Sequence, residues 1–205
     1  MTAVETTRGV AAVVLAAGES KRMGQPKMVL PWGRDTVIGK VVSTLKESGL
    51  DKIVVVTGGA SQLVEKALQG LPVLVLHNPD YARGDMLISC QVGIRALGSE
   101  VEAAVIVLGD QPQIEADVVK SILRAYRTKP ADLLVPSYQM HRGHPWLVAR
   151  SLWAGILGLR PPETLKDFLA RHADQITYLP TESASVLQDL DTPEDYERSS
   201  PPRSG

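Results

Sequence analysis

The chain has 205 residues, 44% hydrophobic and 22% charged, with a formal net charge of -1 at pH 7; this suits one α/β domain with a substantial core and excludes a disordered chain. Near-neutrality excludes a global basic field for holding nucleic acid, and the single cysteine, Cys90, excludes an internal disulfide and a multi-cysteine zinc site. No apolar stretch approaches the roughly 20 residues that cross a membrane, and Met1 to Arg8 lacks the basic-then-apolar order of a signal peptide, so a cytoplasmic protein without a membrane partner is expected.

In chain order, the apolar runs Val10–Leu15, Ile53–Thr57, Val73–Leu76, Ala104–Leu108 and Asp132–Pro136 predict strands. Between them, Thr36–Ser48, Ser61–Leu68, Met86–Leu97 and Ala116–Arg127 predict amphipathic helices. Strand and helix in alternation argue for an α/β fold with a mostly parallel sheet covered on both faces. After Tyr138 the pattern changes: His144–Ala149 reads as a strand, Glu163–His172 as a helix and Ile176–Leu179 as a short strand. Residues 1–8 are expected to be a flexible N-terminus and 9–198 a single domain, with the Ser- and Pro-rich stretch 199–205 a disordered tail.

The first predicted strand runs into Leu15-Ala16-Ala17-Gly18 and on through Arg22, Gly24 and Lys27. Small residues let the backbone approach a guest closely, and two cations in one loop suit a polyphosphate. The alternative is a polar surface turn with solvated charges. The run is neither a P-loop, which needs Gly-Lys-Ser/Thr after four residues, nor the three-glycine dinucleotide fingerprint. Ligands of open α/β sheets bind beyond the carboxyl ends of the strands, and those ends here carry Thr57-Gly58-Gly59, His77-Asn78-Pro79 and Gly109-Asp110-Gln111-Pro112. The fifth strand leads toward Arg142-Gly143-His144-Pro145. Asp110 is placed to hold magnesium, which takes one or two carboxylates plus phosphate and water oxygens; alternatively it closes an Asx turn with Pro112. Asp191 is a second candidate metal ligand. It precedes a helix start in which Thr192 is the N-cap, Pro193 the first helical residue and Asp195 the third after the cap. Cys90 reads as a small buried apolar residue, and His77, His141 and His172 as surface or turn residues.

Taken together, Leu15-Ala16-Ala17-Gly18-x-Ser20-x-Arg22-Met23-Gly24-x-x-Lys27, Leu30-Pro31-Trp32-Gly33, Asn78-Pro79-x-Tyr81-Ala82-x-Gly84, Gly109-Asp110-Gln111-Pro112, Arg142-Gly143-His144-Pro145 and Asp191-Thr192-Pro193-Glu194-Asp195 resemble the MobA-like NTP transferases, and within them the molybdenum cofactor cytidylyltransferases. The resemblance runs from about Val10 to Tyr196. It implies a Rossmann-like three-layer α/β/α fold and magnesium-dependent nucleotidyl transfer, most readily from CTP to the phosphate of molybdopterin. It further implies that Leu15, Ala16, Ala17 and Gly18 line the nucleotide, with Gly24, Thr57 and Gly58 counted among the nucleotide-binding residues. Arg22 would meet the β- and γ-phosphates and Lys27 the α-phosphate, Asp110 would bind magnesium with Asp191 as second ligand, and Ser89 would lie near the base. Arg142 and His144 would lie on the acceptor side, and a molybdenum hydroxylase is a conceivable docking partner. Asp85 separates Gly84 from Met86 where the family pattern has Gly-Met; it either accepts from the exocyclic amine of cytosine or guanine or caps the helix. The segment Arg160-Pro161-Pro162-Glu163 lacks the family's acidic-glycine pattern. A sugar-phosphate nucleotidyltransferase and a non-catalytic cofactor carrier are the alternatives.

Overall fold

The computed structural model describes residues 9–83 and 85–202, the side chain of Asp85 excepted. The expected flexibility of residues 1–8, the choice between base contact and helix cap for Asp85, and the last three residues of the expected tail lie outside the described residues.

Among the described residues, ten strands form: β1 (Val10–Ala16), β2 (Pro31–Trp32), β3 (Asp35–Thr36), β4 (Lys52–Thr57), β5 (Leu74–His77), β6 (Ala103–Leu108), β7 (Leu133–Tyr138), β8 (His141–Arg142), β9 (Trp146–Ala149) and β10 (Ile176–Pro180). The helices are α1 (Val37–Glu47), α2 (Ser61–Ala67), α3 (Asp85–Arg95), α4 (Ala116–Thr128), α5 (Trp153–Gly158), α6 (Leu165–Arg171) and α7 (Pro193–Ser199). The main sheet has the order β10-β7-β9-β6-β1-β4-β5, with β8 paired to β7. β1 pairs in parallel with both β4 and β6, β4 with β5, and β7 with β10; β9 runs antiparallel to both of its neighbours, β6 and β7.

The period of two along β1 sorts its side chains between two cores. Ala12 and Val14 pack with Ile38, Val41 and Leu45 of α1, Val64 of α2, and Val119 and Ile122 of α4. Ala11, Val13 and Leu15 pack with Leu87, Cys90 and Ile94 of α3, Ile156 of α5 and Phe168 of α6. All seven residues of β1 are buried, because a central strand covered on both faces has no solvent side. The result is the expected three-layer α/β/α arrangement. α3 lies close enough to β1 that a Cβ on Gly93 would sit 2.2 Å from Val13 Cγ1. Among the described residues, no helix is long and apolar enough to cross a membrane.

Two features depart from the sequence expectations. The hairpin of β2 and β3 turns through Gly33 at a φ of 63°, and two-residue strands give no periodicity to read. α5 holds Gly155 and Gly158 in its six residues, so propensity did not mark it. α7 runs through Ser199, into the stretch read as a tail, and the Ser200 N–H bonds the Tyr196 carbonyl at 2.8 Å. A capping box between Thr192 and Asp195, with Pro193 in the first turn, starts this helix. Tyr196 then anchors it, donating to the Pro31 carbonyl with its ring 6.2 Å from that of Trp32.

Candidate active site

After β1 the chain leaves for β4 and β5 on one side, and the next crossover returns it to β6 on the other. The carboxyl ends of β1 and β6 therefore flank a topological switch point, where the two connections diverge and leave a crevice. The Gly109 N–H donates to the Leu15 carbonyl at 3.0 Å, which carries the pairing of β1 with β6 to the rim and delivers Asp110 beside the first loop.

That loop is held by its own backbone. Ser20 sits at a φ of 53° and Gly24 at 66°, and the Lys27 N–H closes the circuit on Ser20 Oγ at 3.1 Å. The closure turns Lys27 inward, where it is only 8% exposed. An ammonium group has three donors, and all three have acceptors: Lys27 Nζ lies 2.5 Å from Asp110 Oδ2, 2.9 Å from the Leu190 carbonyl and 3.5 Å from Asp191 Oδ1. The Leu190 N–H in turn donates to the Asp110 carbonyl at 3.1 Å. The C-terminal segment thus folds back over the rim, and Asp191 arrives beside Asp110 from a position 81 residues later in the chain (191 − 110). Arg22 completes the group, with a guanidinium nitrogen 2.7 Å from Asp191 Oδ2.

Asp189 joins this group without having been singled out in the sequence. Partial burial, reinforced by the charges of Asp191 and Asp110, pushes its carboxyl above the ordinary range. Burial is the larger cause and the two neighbouring carboxylates add to it, so the charged form of Asp189 is one that a nearby cation would favour. The donor set fits a divalent metal of the hard, oxygen-seeking kind. Asp110 and Asp191 already converge on one cationic nitrogen, and both offer carboxylate oxygens. Among the described residues, no group of three or more His, Cys, Asp or Glu side chains stands ready to hold a metal. Phosphate and water oxygens would therefore supply the remaining ligands.

Beside the cluster, a cavity of about 250 Å³ opens between the first loop and the start of α3, lined by Leu15, Ala17, Gly18, Tyr81, Met86 and Ser89 among others. Ser89 is 3% exposed and accepts from Asn78 Nδ2 at 3.0 Å. Asn78 is itself fixed, its N–H on the Thr57 carbonyl at 2.8 Å and its Oδ1 accepting from the Asp80 N–H at 3.0 Å. Asn78 and Tyr81, from the run Asn78-Pro79-x-Tyr81, support the site without having been expected in it; the Asn-Pro pair at a strand end is the sequence signal for Asn78.

Other expected site residues stand differently. Thr57 is fully buried, and its hydroxyl donates to the Leu76 carbonyl at 3.1 Å; it braces β4 against β5 and does not face the cavity. Gly58 matters through what its missing side chain allows: a Cβ there would lie 2.4 Å from the Ala17 carbonyl oxygen and 2.7 Å from the Tyr81 ring. Gly58→Ala is expected to push Ala17 toward the cavity, raising KM for the nucleotide with little change in kcat, as read from steady-state kinetics. Arg142 is exposed on β8, its guanidinium 5.5 Å from the Tyr178 ring centroid and on the outer flank of the sheet. Cys90 is fully buried and its thiol is pushed up to about 12 by burial, as suits a core residue.

His144 lies nearer the centre. Ile106 of β6 pairs with Trp146 of β9, and extending that register sets His144 level with Leu108, just short of Asp110. Its ring stacks on Trp146 at 4.2 Å, and its Nδ1 is buried with no partner. Burial pushes the imidazole down to about 4 from its ordinary 6.5. The unfolded chain therefore binds this proton at a higher pH than the folded one. The stabilisation is complete above about pH 6.5 and is lost as the pH falls toward 4. Wild type is expected to lose on the order of 2 kcal/mol between pH 7 and pH 5 through this residue. His144→Phe, which keeps the stacking, should lose correspondingly less in urea melts at the two pH values.

A mostly parallel sheet that gathers a basic loop and paired carboxylates at its switch point is the architecture of an α/β enzyme handling phosphate-bearing nucleotides. The chain belongs to the family described by the MobA-like NTP transferase domain, whose model matches residues 12–176. It is 29% identical over 185 residues to the molybdenum cofactor cytidylyltransferase of Escherichia coli K12, covering 90% of this chain and 92% of that protein. It is also similar to the crystal structure of Rv0371c from Mycobacterium tuberculosis H37Rv, with a TM-score of 0.81 at 26% identity, covering 94% of this chain and 98% of the other. A structure of Rv0371c in complex with manganese matches with a TM-score of 0.76 at 26% identity, covering 94% and 97% of the two chains. The chain is a nucleotidyltransferase.

Proposed function

We propose that the protein transfers a nucleoside monophosphate from CTP to the phosphate of molybdopterin or its molybdenum-bearing form, releasing pyrophosphate. The observation that carries this reading is the convergence of Lys27, Arg22, Asp110 and Asp191 at the rim between β1 and β6. The cytidylyltransferase relative supports the choice of base and acceptor. Residues 9–198 act as one catalytic domain.

An oxygen of the acceptor phosphate attacks the α-phosphorus of the NTP. The bond from the α-phosphorus to the bridging oxygen breaks, pyrophosphate leaves with that electron pair, and a phosphoanhydride joins the two products. A phosphate monoester, with a second pKa of about 6, is already ionised near neutrality, so the chain needs no strong general base. Its work is positioning and charge neutralisation. Lys27 would turn one of its three donors to the α-phosphate, and the forked guanidinium of Arg22 would hold the β- and γ-phosphates. Leu15, Ala17 and Gly18 would wall the nucleoside, with Ser89 near the base. His144, kept neutral by burial, would face the acceptor side without adding charge, with Arg142 farther out. Asp110 and Asp191 would hold magnesium, which when bound neutralises phosphate charge. Docking of a molybdenum hydroxylase to collect the product belongs with this reading.

The test is pyrophosphate release measured with each of the four NTPs, magnesium, and either molybdopterin or a panel of sugar phosphates. Release that requires molybdopterin and is fastest with CTP is the expected result. Release with a sugar phosphate alone would move the acceptor to another class, and binding without release under any combination would make the chain a carrier.

A further inference from the structure

We propose that the protein carries a second small-molecule site, behind the loop that presents Asp110, for a planar guest that is uncharged or cationic and offers a hydrogen-bond donor beside an acceptor. Among the described residues, four buried side-chain polar atoms have no hydrogen-bond partner. Three of them, Thr44 Oγ1 and both amide atoms of Gln113, belong to residues lining one cavity of about 590 Å³. The fourth, His144 Nδ1, belongs to the site already described. Buried polar atoms find partners in native proteins with few exceptions, so three orphans around one cavity call for an explanation.

Thr44 is 1% exposed on the inner face of α1, and Gln113 stands in the loop between β6 and α4, three residues after Asp110. A side-chain amide presents a donor and an acceptor in one plane. Its complement is a group with an acceptor and a donor side by side, as in a carboxamide or the edge of a nucleobase. The three orphan atoms are themselves buried, so a guest in the cavity would meet the Gln113 amide by way of a turn of that side chain about its own torsions. Trp32, Pro112 and Pro201 supply apolar walls for a flat ring. The charged residues of the lining are Lys40 against Glu47, Glu115 and Asp117, an acidic balance that disfavours phosphates and carboxylates and separates this site from the basic rim where the triphosphate belongs. Two of its walls continue into the main site: Pro112 and Gln113 follow Asp110, and Pro201 follows the helix that starts after Asp191.

The chain has three tryptophans, and of these only Trp32 lines this cavity. The experiment uses the full chain labelled with 5-fluorotryptophan, titrated with nicotinamide, adenine and nicotinate and followed by ¹⁹F NMR, with the Trp32 signal assigned by Trp32→Phe. Nicotinamide or adenine is expected to shift the Trp32 signal saturably, and nicotinate to leave it in place. Gln113→Leu and Thr44→Val should each weaken the binding by about tenfold; if Gln113→Leu fails to fold, Thr44→Val, an isosteric change, carries the test alone. No saturable shift with nicotinamide or adenine, equal binding of nicotinate, or unchanged affinity in the folded variants would overturn the proposal. The readout is binding at Trp32, so it stands apart from the outcome of the pyrophosphate assay.

Discussion

Replacing Lys27 with methionine is expected to lower kcat by about 10²–10³-fold. The methionine keeps most of the buried stem and removes only the ammonium, so the loss reports charge. Lys27 Nζ bonds Asp110, Asp191 and the Leu190 carbonyl at once, and a purely structural ion pair would look the same in a static view. The two roles separate in their consequences. Asp110 and Asp191 side chains are 17% and 33% exposed, so water reaches both. Removing the lysine should cost less than the roughly 3–5 kcal/mol of a fully buried pair. Neutralising Asp110 as well should recover part of that stability, because the like charges left facing each other are then fewer. If the lysine serves only the fold, the Lys27→Met variant keeps near wild-type turnover at temperatures where it remains folded. If it serves the triphosphate, turnover is lost even in the folded single variant, whatever stability the double variant regains. Thermal melts and pyrophosphate release on the same samples read both.

Asp110→Asn is expected to have the second large effect, a fall in kcat of about 10³-fold with a higher metal concentration needed for half-maximal rate. The amide oxygen still accepts from Lys27, so the loop stays closed and the fold survives. Two features make Asp110 the more sensitive of the two carboxylates. It is the less exposed, and its backbone is tied to β6 on one side and to Leu190 on the other, so nothing else moves in to replace it. Asp191, more exposed and shared with Arg22, should cost less when changed to Asn. Equal, small effects at both positions, measured as kcat across a magnesium titration, would contradict the assigned order.

Much of this architecture is legible in the residues because two kinds of signal coincide. Val10–Leu15 and Ala104–Leu108 are unbroken apolar runs that end in Gly or small residues, and a central parallel strand leaves no other option for such runs. The strand-end rule then places Arg22, Lys27 and Asp110 on one rim without any knowledge of packing. Asp191 is different. Its arrival depends on the Leu190-to-Asp110 backbone bond and on the packing of Tyr196 against Trp32, contacts between segments far apart in sequence that no local pattern encodes. Asp189 escaped notice for the same reason, since its environment is made by Asp110 and Asp191 and not by its neighbours in the chain. Thr57 stands at a strand end as a polar residue, and its hydroxyl donates to the adjacent strand, a pairing that the local sequence does not reveal. The β2–β3 hairpin and α5 carry no readable sequence signal because short elements owe their existence to tertiary contacts more than to propensity.

In the proposed reaction, Asp110 and Asp191 share a divalent cation whose nucleotide is gripped by Lys27 and Arg22. A crystal of the protein grown with manganese and a non-hydrolysable CTP analogue, with anomalous differences collected at the manganese edge, tests it most directly. The expected map has one strong peak between the two aspartates, with the triphosphate reaching Lys27 and Arg22. A nucleotide bound elsewhere, with the Lys27–Asp110 pair unbroken and no peak beside it, would contradict the account.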